Sequence, residues 1–262
     1  INSFFQIDFS VYIPNDSRLD KENFYTNFKY DKSKQEIIKN LDTLIIDEIS
    51  MVRCDIIDLI DKILKIYRRN QEPFGGIQLA LIGDVFQLPP ILIGDKKEIL
   101  SQFYKSGFFF ESNIIKEINE KNDLIYIELK KIYRQKDEEF INMLNRIRVG
   151  EISKDDIQKL NLKHKVDFEE EGYIHLCTHN KIVDETNQTK LQNIQNQSFC
   201  YEAKINGIFP EKSFPTEREL KLKVGAQIMF IKNTSTYYNG QISKISKLEE
   251  NKIWVKDNQD EE

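Results

Sequence analysis

LIIDEISM, at Leu44–Met51, is the stretch whose reading decides the fold. Leu44 to Asp47 reads as a buried strand ending on a carboxylate, and Asp47 and Glu48 stand side by side where it stops. In an open α/β sheet, ligands sit just past the carboxyl ends of the strands. Two adjacent acids at such a place suit a nucleotide–metal site. One can hold Mg²⁺, directly or through water, and the other can polarise the water that attacks a γ-phosphate. The same pattern, taken alone, also fits a strand end meeting a solvated helix start.

Moving outward, Arg53–Arg69 carries Ile56, Ile57, Leu59, Ile60, Ile63, Leu64 and Tyr67 at spacings of three and four, the period of an amphipathic helix. Its basic end, Lys65, Arg68 and Arg69, complements the helix dipole. Glu72–Gly76 (EPFGG) reads as a turn, and Ile77–Gly83 as a second buried strand. Gly83 permits a sharp exit, Asp84 and Gln87 follow at once, and Pro89–Pro90 stop any helix. A Gln held rigidly past a strand end can sense a phosphate or position a water. An ordinary strand-to-helix turn with an Asp cap reads equally well there.

Composition bounds the rest. The chain has 262 residues, 40% hydrophobic and 31% charged, which fits a globular protein of about two domains. No apolar run approaches the ~20 residues of a membrane span, so no membrane partner is expected. No signal peptide or basic targeting arm is read. Cys54, Cys177 and Cys200 are scattered and odd in number, as in a reducing compartment rather than a disulfide framework. A net charge of −5 gives no global basic field, and acid gathers in Glu169–Glu171 and Asp257–Glu262 as solvated surface. A nucleic-acid groove depends on a local patch, not on that sum. The chain starts at Ile1 without Met, and its last strand-like segment runs into acid. It reads as cut at both ends.

Ile1–Gln6 places Phe4–Phe5 beside Ser3, aromatics suited to a core or to base stacking, with the core favoured on these residues alone. Asp8–Ser33 reads as a small excursion such as a hairpin, and Gln35–Asn40 as a short helix. Further helices are expected at Glu98–Tyr104, Asn113–Asn119, Asp137–Val149, Ser153–Leu160 and Asn180–Leu191. Strands are expected at Leu124–Leu129 and Tyr173–Cys177. Arg134, just before the helix-capping Asp137, can point across a cleft. Thr178, His179 and Asn180 lie at a strand-to-helix corner able to donate to a phosphate or simply to cap. His175, Cys177 and His179 alternate like metal ligands, but no fourth ligand lies near, and structural roles are preferred. From Ser198 onward, short segments between Gly, Asn and Pro make a β-rich module with a hairpin turn at Tyr237–Gly240.

Five stretches together resemble, in order and spacing, the Pif-type DNA helicases of superfamily one, with RecD-type helicases as second choice. They are LIIDEISMVR, FGGIQLALIGDVFQLPP, LKKIYRQKDEEFINMLNRIRVG, LCTHNKIVDETN and LKVGAQIMFIKN. The resemblance implies an α/β chain with two RecA-like parallel-sheet lobes, both incomplete. The first lobe would span residues 1–128 with a small insertion at about 8–33, and 129–197 would begin the second. Residues 198–262 would be an incomplete, β-rich, barrel-like insertion. It implies ATP hydrolysis with Mg²⁺, 5′-to-3′ translocation on single-stranded DNA and unwinding at DNA forks, in replication, repair, recombination or genome maintenance. Asp47 matches the Mg²⁺-holding carboxylate of the Walker B motif and Glu48 the general base. Gln87, supported by Asp84, matches the γ-phosphate sensor, and Arg134 the arginine finger. Ser3, Phe4 and Phe5 match one DNA-contacting motif, and Thr178, His179 and Asn180 another.

There are departures. The family's phosphate loop, G-x-x-x-x-G-K-[ST], occurs nowhere in the chain and is expected upstream of Ile1. The last motifs are expected downstream of Glu262, and Asn2 stands where the family usually has His. Without the loop's N–H groups and Lys, nothing neutralises the β- and γ-phosphates, so this polypeptide alone is expected to be inactive. The alternatives are a degenerate, non-hydrolysing nucleic-acid-binding module and a RecD-like motor subunit of a nuclease complex. A monomer is the expected state. The expected location is the cytoplasm for a bacterial or viral source and the nucleus or mitochondrion for a eukaryotic one, with no secretion.

Overall fold

A computed structural model describes residues 1–8, 10–92, 94–164, 171–205 and 214–257. Most of the acidic runs Glu169–Glu171 and Asp257–Glu262 lies outside them. The chain forms two compact units, residues 1–163 and 164–262.

The first unit opens with a single-turn helix, α1 (Asn2–Phe5), followed by α2 (Lys21–Asn27) and α3 (Lys32–Lys39). Next come strand β1 (Thr43–Ile46), helix α4 (Cys54–Arg68) and strand β2 (Gln78–Leu81). Helices α5 (Asp95–Ser101), α6 (Asn113–Glu120), α7 (Glu138–Arg148) and α8 (Lys154–Asn161) complete it. β1 and β2 pair in parallel, Thr43 with Gln78 through Ile46 with Leu81. With α4 as crossover they make a β-α-β unit, the α/β signature expected.

α4 is the hub. Its buried Ile57, Leu59, Ile60, Ile63 and Leu64 share one core with Ile46, Phe24, Ile38, Phe74 and Ile114. The described residues between 8 and 33 form no hairpin. Asp16 caps a short turn at Ser17–Leu19, and α2 follows with Phe24 and, at its C-cap, Phe28 one turn apart; both are buried, Phe24 against Phe28 and against Tyr67 of α4. Helical spacing of those two rings outweighs the turn signals before them. Tyr67 donates its hydroxyl proton to the Phe28 carbonyl, fixing α2 to α4.

Arg53 donates from Nε to Asp55 Oδ1 (2.8 Å) and from Nη2 to Asp55 Oδ2 (2.7 Å) and the Ser10 carbonyl (2.5 Å). Asp55 is fully buried and also accepts the Tyr12 N–H at 2.9 Å, so this pair staples residues 10–12 to the start of α4. At the far end, Arg68 gathers the carbonyls of Ile38, Lys39 and Leu41 at 2.6–2.9 Å and that of Gly75 at 2.8 Å. Phe74 and Gly75 take left-handed backbone (φ 53° and 65°), turning the chain from α4 into β2.

Two expected strands are absent. Residues 124–129 have no regular structure, and Ile125, Tyr126, Ile127 and Leu129 are 77–87% exposed. Residues 173–177 likewise form no strand, and Leu176 is 91% exposed. Each has a strand's composition but pairs with no described strand, and a strand requires the ladder hydrogen bonds of such a partner. β1 itself is half-buried: Ile46 is in the core while Ile45 is 63% exposed.

The second unit carries α9 (Asn180–Asn193), then strands β3 (Ser198–Glu202) and β4 (Glu219–Lys223), which pair antiparallel. Strands β5 (Gln227–Met229), β6 (Ile242–Glu249) and β7 (Lys252–Asp257) form an antiparallel sheet in that order. Ala226, Ile245 and Leu248 centre its core, with Leu191 of α9 packed on it. From Ser198 onward the described strands form two antiparallel sheets. No described helix is long and apolar enough to cross a membrane.

Candidate active site

Parallel, in-register pairing puts the ends of β1 and β2 side by side. The Ile82 N–H donates to the Ile46 carbonyl (2.9 Å), and the Ile49 N–H to the Ile82 carbonyl (3.0 Å). The chain leaving β1 thus crosses directly over the exit of β2. Gly83 makes the approach possible: a Cβ there would lie 2.9 Å from Ile49 Cγ2 and 3.0 Å from the Ile49 nitrogen. Asp47 and Glu48 are both exposed at this edge. Glu48 has φ 53° and ψ 43°, and its N–H donates to Asp47 Oδ1 at 2.9 Å. Left-handed backbone costs a non-glycine residue about 1–2 kcal/mol. Such strain gathers where function needs it.

The loop after β2 is built around Asp84. Its Oδ1 accepts the Phe86 N–H (3.1 Å), its carbonyl accepts the Gln87 N–H (3.0 Å), and Oδ2 accepts Gln87 Nε2 (3.4 Å). Partial burial works against the Asp84 charge, but these N–H donors and Arg148 outweigh it and hold its carboxyl below the ordinary range. Arg148, at the end of α7, places Nε 3.2 Å from Asp84 Oδ2 and stacks its guanidinium 4.8 Å from the Phe86 ring centre. Nothing in the sequence singled Arg148 out; a basic residue in a last helical turn reads as dipole compensation.

Asp47, Glu48, Asp84 and Gln87 therefore meet at one edge. Arg134 sits in the exposed stretch before α7 and bonds to none of the four. Asp137 caps α7 as expected, accepting the Phe140 N–H at 3.0 Å. Phe5 is 1% exposed, so its ring belongs to the core and is closed to a base. Ser3 is exposed, and Phe4 packs against the core with Lys34 Nζ 3.3 Å from its ring centre. Thr178, His179 and Asn180 are exposed where α9 begins, and Thr178 Oγ1 lies 2.9 Å from His179 Nδ1.

Among the described residues no three His, Cys, Asp or Glu gather to hold a metal, and His175, Cys177 and His179 do not form such a group. One or two exposed carboxylates are nonetheless what Mg²⁺ uses when phosphates and water complete its shell. Asp47 and Glu48 fit that chemistry.

The family profile described as PIF1-like helicase matches residues 10–158. This chain belongs to the PIF1-like helicase family. A PIF1 ATP-dependent DNA helicase of Candida albicans is 37% identical over 243 residues, 86% of this chain and 26% of its own length. The human PIF1 helicase is 34% identical over 204 residues, 75% of this chain and 30% of its own. A crystal structure of Bacteroides Pif1 bound to single-stranded DNA superposes with a TM-score of 0.76 at 40% identity, over 97% of this chain and 57% of that one. The chain thus spans less than a third of these curated relatives. The stretch matched by the PIF1-like profile contains Asp47, Glu48, Asp84, Gln87, Arg134 and Arg148, whereas Ser3–Phe5 and Thr178–Asn180 fall outside it.

Proposed function

We propose that this PIF1-like chain is part of an ATP-dependent DNA helicase that couples hydrolysis between two RecA-like lobes to 5′-to-3′ movement on single-stranded DNA and unwinding of forks. The observation that carries it is the meeting of Asp47, Glu48, Asp84 and Gln87 at the carboxyl ends of two parallel strands. The Bacteroides relative, described with ADP-AlF₃ and single-stranded DNA, supports the same substrates. Residues 1–128 form the first lobe in this reading, 129–197 begin the second, and 198–262 are its β-rich insertion.

Asp47 would hold Mg²⁺, which when bound would neutralise charge on the phosphate oxygens. Glu48, held by its left-handed backbone beside Asp47, takes the proton of the attacking water. Gln87, kept in place by Asp84, reports the γ-phosphate. Arg134, from the second lobe, stabilises charge in the transition state, a role worth about 10³–10⁵ in rate where tested. In the first unit Ser3 and Phe4 contact DNA, and in the second Thr178, His179 and Asn180 do. Phe5 acts from beneath, supporting Phe4 edge-on at 4.9 Å between ring centres.

Glu48→Gln in the intact protein tests this. DNA-stimulated ATPase should fall about 10²–10⁴-fold while single-stranded DNA affinity, read by fluorescence anisotropy, is kept. Turnover that survives the substitution removes Glu48 as the base.

A further inference from the structure

Helix α7 is held to its surroundings by polar ties more than by core packing. Only Met143 of the helix is buried, and Leu144 and Ile147, on its apolar face, are 39% and 40% exposed. Two ties, Arg146 to Asp156 and Glu139 to Lys159, are local and run to α8. A third, Arg148, reaches 64 residues back in sequence to Asp84. Its Nε lies 3.3 Å from Oδ1 and 3.2 Å from Oδ2, so it engages both oxygens of the carboxylate. Those two oxygens also organise the loop after β2: Oδ1 takes the Phe86 N–H and Oδ2 takes Gln87 Nε2. The guanidinium lies over the Phe86 ring, 4.8 Å from its centre, an arrangement favoured by the charge distribution of the ring. The other end of α7, capped by Asp137, follows directly on Arg134.

We propose that Arg148 is a positioning residue: it fixes the Asp84 carboxylate, and through it the Gln87 side chain, and so ties the sensor loop to the helix that continues from Arg134. The inference rests on the helicase reading for its kinetic consequence, but the tie itself is geometric. Its contact is with Asp84, so its effect on Gln87 passes through that carboxylate. The Gln87–Asp84 contact, at 3.4 Å, is long, so an unheld carboxylate would let Gln87 take other rotamers.

The test is a kinetic cycle in the intact helicase. Arg148→Ala should lower DNA-stimulated kcat about tenfold at nearly unchanged KM for ATP. Arg148→Lys, which keeps the charge, should recover part of that loss. In a Gln87→Ala background, Arg148→Ala should cost little more, because the route through Gln87 is already cut. Arg146→Ala, breaking the neighbouring tie, should lower melting temperature without this dependence on Gln87. Losses from Arg148→Ala and Gln87→Ala that simply multiply would overturn the proposal. A second readout needs no turnover: the side-chain amide resonances of Gln87 should shift in Arg148→Ala and stay put in Arg146→Ala. Unmoved resonances would overturn the tie. A wild-type protein without DNA-stimulated ATPase would overturn the helicase reading instead, leaving the resonances to decide the tie.

Discussion

Leu44–Asp47 and Leu124–Leu129 carry nearly the same message in sequence, LIID and LIYIEL, and end in opposite states. The first is a paired strand with Ile46 at 2% exposure; the second is irregular, with Leu129 at 87%. Apolar, β-branched composition makes a strand possible, and a neighbour makes it real. β1 has β2 in register beside it and α4 across one face. The later stretch leaves α6 at Asn122, in left-handed conformation, and meets no described partner.

The contrast predicts a fragile region and a tolerant one. Arg53→Ala strands the buried Asp55 carboxylate and should destabilise the first unit by about 3–5 kcal/mol in urea titrations; a change under 1 kcal/mol would mean the pair is solvated. Ile46→Ala should cost about 2–5 kcal/mol by the same measurement, whereas Ile127→Ala should stay within about 0.5 kcal/mol. Equal losses at the two positions would show that 124–129 is packed in solution and erase the contrast. Hydrogen exchange sharpens it further, with amides of β1 and α4 protected and those of 125–129 exchanging at nearly unfolded rates.

The smallest effect expected is on acid stability. Hydrogen bonds from Arg146 and Ser153 hold the Asp156 carboxyl far below its ordinary range. A depressed folded pKa stabilises fully above the unfolded value, about 3.9, and the gain is lost as pH falls through the folded one. An Asp156→Asn variant should therefore differ from the parent at neutral pH and converge on it in strong acid. A gap that persists there would assign the effect to packing.

The acid pair, its strand and the Asp84–Gln87 loop were legible because each is a local pattern at a strand end. The capping of α7 by Asp137 and of α8 by Ser153 was legible for the same reason. What escaped is long-range. Arg148 meets Asp84 across 64 residues, and Arg53 reaches Ser10 across 43. No periodicity encodes either. The strands expected at 124–129 and 173–177 failed likewise, since pairing belongs to two segments and composition to one. Phe5 resolved toward the core because Tyr30, a residue of the next segment, donates to its carbonyl at 2.5 Å.

Gly75 has a consequence for genetics. A methyl group there would sit 2.8 Å from the Leu64 carbonyl oxygen and 2.9 Å from Arg68 Cδ, on a backbone with φ of +65°. It stands in the turn between α4 and β2, outside the acidic edge and the Asp84–Gln87 loop. Gly75→Ala should therefore behave as a conditional allele. Cells carrying it would keep the protein in the cold and lose it on warming.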